Sequence, residues 1–516
     1  MGIYNFATII HESARRFPFK TALITNEKTL SYVELRDRVN QAGNLFLGLG
    51  VKPGARVAVL FPNDFRFLEI CFGLMSIGAV PIPMNAKQGI ETLAYIVGDS
   101  GSQVLVYHTS FKKKVEGIDQ VTNIPIKVVA ADLNDSIANY SYDELLKNQS
   151  SELTIYSAKE DELCFLPYTS GSTGNPKGCK LTHQGQYWNV KATSEVKGIN
   201  DTDRILIALP LYHKNAMAMM KMIFFKGSSA VILPKVDPES ILHSIETYRC
   251  TFMTGVPALY RMLVNQISAN EDQRYDLKSL RFVFCGSSDA PVELLDEIRQ
   301  RMGIEVYEGY GLTEGGPMVT ASRKGEQRHG SAGKPVPGCS VKIVNEDGIP
   351  VKLREVGELW VNNPGVTKGY WNLPEVSAKR ITSDGWLKTG DAAWEDEDGF
   401  IYIVGRKDDM INIGGENAYP KEIENILLKH PNIKDVCVLP IPHDVKGQVP
   451  IAFIVSNDGQ QLEFEEVRDF FISIGPAYSH PRKIFFLDAL PLTGPGKVDR
   501  TQLKNTLNTY LVEGMK

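Results

Sequence analysis

Short apolar runs alternate along the first two-thirds of this chain with longer segments whose apolar residues recur at helical spacing. Residues 21–32 carry short β-like pieces, and 33–49 read as an amphipathic helix. Runs 56–61, 78–83 and 104–107 read as buried strands, with a helix at 64–75. Strand followed by helix in this way predicts a parallel sheet covered by helices. The alternation resumes with strands at 205–209, 230–233, 251–254, 280–284 and 305–307. Between them, 238–248 and 291–302 read as helices, each opened by a proline suited to a first turn. Two α/β blocks side by side are expected, without an evident internal repeat. From residue 341 the texture changes to short strands at 341–344, 357–361, 386–388 and 400–404, divided by turn signals such as Asp398-Gly399. These predict a small β-rich lobe. A charged, turn-like knot, Gly405-Arg406-Lys407-Asp408-Asp409, closes it. Beyond it, helices at 421–429 and 464–471 and strands at 436–440, 451–455 and 483–487 form an α+β pattern. The expected organisation is a large domain at 1–404, a boundary at 405–409 and a small C-terminal domain at 410–516.

Composition narrows the class. At 516 residues the chain exceeds one ordinary hydrophobic core, and 43% hydrophobic with 23% charged residues is typical of a globular protein. A net charge of −5 gives no reason to expect a nucleic-acid surface. The seven cysteines stand singly, which points to reduced thiols in a cytoplasmic protein and to no zinc site. Neither a signal-length apolar region nor an apolar run of membrane-spanning length is found, and Gly514-Met515-Lys516 is not a peroxisomal address. A cytoplasmic protein without a transmembrane segment is expected.

Against this background one stretch is chemically distinctive. Residues 168–178, YTSGSTGNPKG, bring glycines, hydroxyls and Lys177 together just after the apolar run 163–167. Glycines let backbone N–H groups approach anionic oxygens, hydroxyls add donors, and lysine adds a charge. A kinase-style P-loop is excluded because Pro176 and Gly178 stand where its second glycine and its Ser/Thr should be, and no helix-forming run follows at once. Taken alone, the stretch also suits a plain glycine/serine turn. Three further motifs are similarly ambiguous one by one. Residues 309–315, GYGLTEG, follow a strand and suit either a phosphate turn or a capped tight turn. Thr389-Gly390-Asp391 sets a carboxylate just after a strand, for vicinal hydroxyls or as a simple β-turn. Residues 491–500, PLTGPGKVDR, display Lys497 on a stiffened loop, where a solvated lysine is the ordinary reading.

Their order and spacing are not ambiguous. With 405–424, GRKDDMINIGGENAYPKEIE, they resemble the ordered core motifs of the adenylate-forming superfamily: acyl- and aryl-CoA ligases, luciferases and peptide-synthetase adenylation domains. The resemblance runs from about residue 4 to residue 500. It implies ATP-dependent carboxylate–CoA ligation through an acyl-adenylate, releasing pyrophosphate and then AMP. It also implies ATP, Mg²⁺ and coenzyme A. By this resemblance Thr169, Ser170, Gly171, Ser172, Thr173, Gly174 and Lys177 embrace the β- and γ-phosphates. Thr313 contacts the α-phosphate, and Glu314 holds Mg²⁺. Tyr310 lies against adenine between Gly309 and Gly311, with Ser287, Ser288 and Glu308 near its edges, and Asp391 and Arg406 bind the ribose. Lys497 bridges the carboxylate and the α-phosphate. Asp408 is the hinge, and rotation there brings Gly414, Gly415, Glu416 and Asn417 over the site for the thiol step.

The acid itself is less legible. Residues 210–216, PLYHKNA, resemble the family's acyl-pocket motif and point to Tyr212, His213 and Asn215, with His213 as a gate, although a lone histidine is commonly structural. Met217, Met219, Met220 and Met222 follow; thioethers make adaptable walls, and Met220 is assigned to the pocket, while a plain buried helix explains the run almost as well. One departure is clear: Asp289 stands where the family's adenine-side loop has proline, which leaves that loop's contacts open and makes a polar or cationic substrate group conceivable. The CoA-ligase branch is the closer resemblance. Two alternatives remain, a stand-alone enzyme loading a carrier-protein thiol and a non-catalytic nucleotide-binding regulator. The expected partners are the carboxylate, ATP and CoA, with a carrier protein or a second copy of the chain as further options.

Overall fold

A computed structural model describes residues 5–131, 135–169, 175–269, 275–286, 290–328, 330–414, 416–457, 462–492 and 498–513. Two sheets organise the large part. The first has five parallel strands in the order Val80–Pro83, Arg56–Leu60, Val104–His108, Ile126–Ala130 and Tyr140–Ser141. The second has nine. Its parallel centre runs Val306–Tyr310, Phe282–Cys285, Phe252–Gly255, Arg204–Ile207, Ser229–Ile232 and Thr21–Ile24, and antiparallel strands finish both edges. Thr21–Ile24 and its antiparallel neighbour Thr29–Ser31 thus join the second block.

The junction between blocks is a helix buried all round, its two charges, Arg66 and Glu69, held in ion pairs. Every residue of Phe65–Ser76 is buried, because the helix packs against Tyr32–Gly48 on one side and meets Lys214–Lys226 through Phe72 and Phe224, edge to face at 5.3 Å. Close crossing depends on Gly73, whose replacement by alanine would set a Cβ 2.8 Å from that of Ala42.

Four antiparallel strands, Ser340–Val344, Gly357–Asn362, Leu387–Glu395 and Ile401–Arg406, form the β lobe in that order. A single 3₁₀ turn, Lys407–Asp409, follows directly. The last unit has a five-stranded sheet built on the long hairpin Ile433–His443/Gly447–Ser456. Its two core clusters contain only residues from Ile411 onwards, so it buries its own apolar surface. The overall plan is the expected large α/β part with a β lobe and a small α+β C-terminal part.

Local readings need correction in three places. The helix His183–Val196 begins only five residues after Gly178, whereas no helix-forming run is read there from the sequence; its buried face includes Gln186, Asn189 and Thr193, so it lacks an apolar stripe. Thr389-Gly390-Asp391 lies inside strand Leu387–Glu395 rather than after a strand. Gly390 has φ 71° beside a register shift, so a bulge within a strand imitates a turn. Finally, helices such as Ile90–Ser100, Lys112–Thr122 and Pro257–Ala269 fall between the strands without having been read individually. Among the described residues no helix is long and apolar enough to cross a membrane.

Candidate active site

At the edge of the β lobe, three separate strands bring Tyr310, Asp391 and Arg406 together. Asp391 and Arg406 are direct partners across two antiparallel strands. Arg406 Nη1 donates to Asp391 Oδ1 at 2.9 Å and to the Thr389 carbonyl at 3.1 Å. Tyr310, at the end of the central strand Val306–Tyr310, donates its hydroxyl to the other carboxylate oxygen. Burial, and then the Asp391 charge, push the Tyr310 phenol well above its ordinary pKa, so it remains a donor. The result is a nearly buried carboxylate held in fixed orientation by a donor on each oxygen.

A second cluster forms one turn further on. Tyr168–Thr169 and Lys177–Gly178 pair antiparallel with Lys177 opposite Thr169, so the two ends of the glycine-rich stretch lie side by side. Glu314 lies in the 3₁₀ turn Thr313–Gly315. Its Oε1 accepts from Thr169 Oγ1 at 3.0 Å and from the Tyr370 hydroxyl at 3.2 Å. Lys177 Nζ sits 5.6 Å from the centre of the Tyr370 ring. The chain linking the clusters passes Gly311, where a Cβ would come within 1.9 Å of the Pro317 carbonyl oxygen. Only glycine fits that approach.

A cavity opens beside this link. Gly309, Gly311 and Gly286 form one side, Met219, Met222, Phe284 and Met318 supply apolar wall, and Asn189, Thr193, Lys197, Lys214, Asn215 and Thr254 supply polar atoms. Lys214 Nζ donates to the Gly311 carbonyl at 2.6 Å, and Thr254 donates to Asn215 Oδ1 at 2.9 Å. A smaller neighbouring cavity is lined by Tyr212, Met217, Lys221 and Thr313, and shares Lys214, Ala218 and Pro317 with the first.

The sequence expectations distribute unevenly over this geometry. Tyr310, Asp391 and Arg406 meet in one cluster and Thr169 and Glu314 in another, Lys177 pairs opposite Thr169, Gly309 and Gly311 line the main cavity and Thr313 the smaller one, and Glu308 lies on the same strand as Tyr310. Asn215 lines the main cavity, and Tyr212 lines the smaller one. His213 is the half-buried N-cap residue of helix Lys214–Lys226. Met220 lines neither cavity; Lys214, Ala218, Met219 and Met222 share the cavity side of that helix, and the helical period turns Met220 into the core. Asp408 is exposed in the 3₁₀ turn. Gly414 and Glu416 flank the turn between strands Ile411–Ile413 and Glu416–Ala418. Ser170, Gly171, Ser172, Thr173, Gly174, Ser287, Ser288, Asp289, Gly415 and Lys497, together with the Asn417 side chain, lie outside the described residues. Sequence reading missed Asn189, Thr193 and Lys197, because their helix went unread, and Lys214, whose signal was its place directly after His213.

A family model described as AMP-binding enzyme matches residues 10–371, and one described as AMP-binding enzyme C-terminal domain matches residues 422–497. A feruloyl-CoA synthase of Amycolatopsis sp is 34% identical, covering 95% of this chain and 96% of that protein. A long-chain-fatty-acid–CoA ligase of Bacillus subtilis (strain 168) is 32% identical, covering 96% and 93%. The solved structure of an anthranilate CoA ligase in complex with anthranoyl-AMP superposes with a TM-score of 0.93 at 27% identity, covering 99% of both chains. By motif order, fold, cleft and these likenesses together, the chain belongs to the AMP-binding enzyme family, as an adenylate-forming acid–CoA ligase.

Proposed function

We propose that this chain activates a carboxylic acid and passes it to coenzyme A within a single cleft. A carboxylate oxygen attacks the α-phosphorus of ATP, the bond to the bridging oxygen breaks, and pyrophosphate leaves. The CoA thiol then gives up its proton and attacks the acyl carbon, and AMP leaves with the electrons of the broken acyl–oxygen bond. One observation carries this reading: Arg406, Asp391 and Tyr310 connect through Gly311 to Glu314 and Thr169, with the cavity opening beside Gly309 and Gly311.

In this reading Asp391 and Arg406 grip the ribose hydroxyls, and Tyr310 supports the adenine together with Glu308 and residues 287–289. Residues 169–177 hold the departing pyrophosphate, with Lys177 offsetting its charge, and Thr313 meets the α-phosphate. Acyl and phosphoryl transfer both reward fixed donors aimed at developing negative charge. Lys497 draws together two anions that otherwise repel. Glu314 offers carboxylate oxygens beside the Thr169 hydroxyl, a hard donor set suited to Mg²⁺. When bound there, Mg²⁺ neutralises phosphate charge. Asp408 is assigned as the hinge, with Gly414, Gly415, Glu416 and Asn417 facing the site in the thiol step. His213 borders the acid's carboxylate. The boundaries 1–404, 405–409 and 410–516 are supported by the separate C-terminal cores, and the free, mostly buried thiols support a cytoplasmic setting.

The deciding experiment supplies ATP, magnesium, a panel of carboxylic acids and CoA as the sole thiol. Formation of AMP and an acyl-CoA thioester is expected. Pyrophosphate release without any thioester would instead favour a carrier-protein acceptor.

A further inference from the structure

The helix His183–Val196 turns a polar face into the acid cavity. Asn189, Thr193 and Lys197, its C-cap residue, follow at intervals of one turn and are 4%, 2% and 4% exposed. Buried polar groups ordinarily find partners. Asn189 Nδ2 donates to the Met318 carbonyl at 3.3 Å, and Thr193 Oγ1 donates to Asn189 Oδ1 at 3.5 Å. Lys197 does not follow the rule. An ammonium has three protons to donate. Among the described residues its Nζ meets the Met219 thioether at 3.8 Å and the ring faces of Phe284 and Phe252, with centroids at 3.5 and 5.6 Å. A thioether is a weak acceptor, and a ring face supplies none of the oxygen that water would.

Another buried lysine shows that the fold can satisfy such a group. Lys221, 5% exposed and lining the smaller cavity, donates to Gln186 Oε1 at 2.7 Å. Among the described residues Lys197 has no comparable oxygen. A buried cation without an acceptor destabilises the fold, and a leucine or methionine would fill the space without that cost. The charge is therefore explained if its partner arrives from the cavity.

We propose that Lys197 reads the far end of the acid: the substrate carries, remote from the carboxylate being activated, an oxygen that accepts a hydrogen bond from Lys197 Nζ. This deepens the ligase reading and rests on its identification of the cavity as the acid site. The near end of the cavity is Gly311 and Lys214, adjoining Thr313 and Glu314. From Asn189 to Lys197 the helix rises by ~12 Å, and the facing wall of Met219, Met222, Phe284 and Met318 is apolar. Such a space suits a single-ring aromatic body with an oxygen substituent. Burial alone lowers the Lys197 pKa, to about 7, so the amine can donate in either protonation state and gains charge when its partner is anionic.

The test compares wild type with Lys197→Met, a substitution of similar length that removes the charge. Binding of benzoate, 4-hydroxybenzoate, terephthalate, cinnamate and 4-hydroxycinnamate is measured by calorimetry, and kcat/KM for CoA-dependent AMP formation is measured on the same acids. Wild type is expected to favour acids with the distal oxygen. The variant loses that preference by about tenfold to hundredfold, keeps its affinity for the plain acids, and melts no lower than wild type. Preference for the phenols identifies a phenol oxygen as the acceptor, and preference for the diacid identifies a second carboxylate. No preference in wild type, or a parallel loss on every acid with a lowered melting temperature, overturns the proposal and leaves Lys197 a packing residue. The two readings fail separately. Turnover without discrimination sinks only the role of Lys197, whereas Lys197-dependent binding without CoA-dependent turnover sinks only the ligase.

Discussion

The nucleotide end and the acid end of the cleft handle charge in opposite ways. Asp391 is already oriented by Arg406 and Tyr310, and Glu314 by Thr169 and Tyr370. Lys197, buried at the cavity proposed for the acid, meets among the described residues a thioether and aromatic rings. The difference matches what each end must bind. ATP is the same at every turnover, so its donors and acceptors are held ready by one another. The acid is where related ligases diverge, and there the fold leaves a charge whose partner comes with the substrate.

The strongest way to break this comparison is to remove the charge proposed to bridge the acid and the α-phosphate. Lys497→Ala is expected to slow adenylate formation by ~10²–10³-fold while a supplied acyl-adenylate is still converted to thioester. Equal loss in both half-reactions, measured by single-turnover quench, would reject the bridging role. Asp408→Pro restricts φ at the proposed hinge. It should reduce the thioester step by about tenfold or more and leave acid-dependent pyrophosphate exchange intact; unaltered overall turnover would move the hinge elsewhere.

Smaller effects sharpen the contrast. Asp391→Asn keeps the shape but weakens the ribose grip and unpairs Arg406, so KM for ATP should rise by about tenfold to hundredfold with KM for the acid unchanged. A matching change in both constants would mean that the two ends are not separable. The smallest effect expected is that of pH. Lys197 has a folded pKa lowered to about 7 from 10.5. The unfolded chain therefore binds the extra proton between those values, so the stability contribution of this group rises with pH over that range and is lost as pH falls towards 7. For an acid with a distal carboxylate the sign on binding is reversed: the ammonium is preferred, and KM should rise by up to about tenfold per unit above pH 7. Benzoate should show no such slope, and identical profiles for the two acids would contradict the pairing.

Most of the strands, and the order of the functional motifs, were legible because both depend on local signals: apolar runs for strands, glycine-rich and charged turns for the cleft. What escaped was set by tertiary context. The helix His183–Val196 buries Asn189 and Thr193, so a search for an apolar stripe passes over it, and with it Lys197. The Asp391 motif was found but placed after a strand, because a glycine at positive φ inside a bulge has the local chemistry of a turn. Met220 was chosen from a run of methionines whose facing is decided only by how helix Lys214–Lys226 is rotated against the cavity. Sequence spacing finds residues that meet a ligand through a fixed loop more readily than residues that meet it through a helix face.

The most direct measurement for the ligase account is ATP–pyrophosphate exchange by the purified full chain, with and without CoA, over the acid panel. Exchange that depends on an acid and needs no CoA, followed by AMP and thioester only when CoA is added, is the predicted result. Exchange that is independent of acid, or that begins only with CoA present, would contradict an acyl-adenylate formed in this cleft.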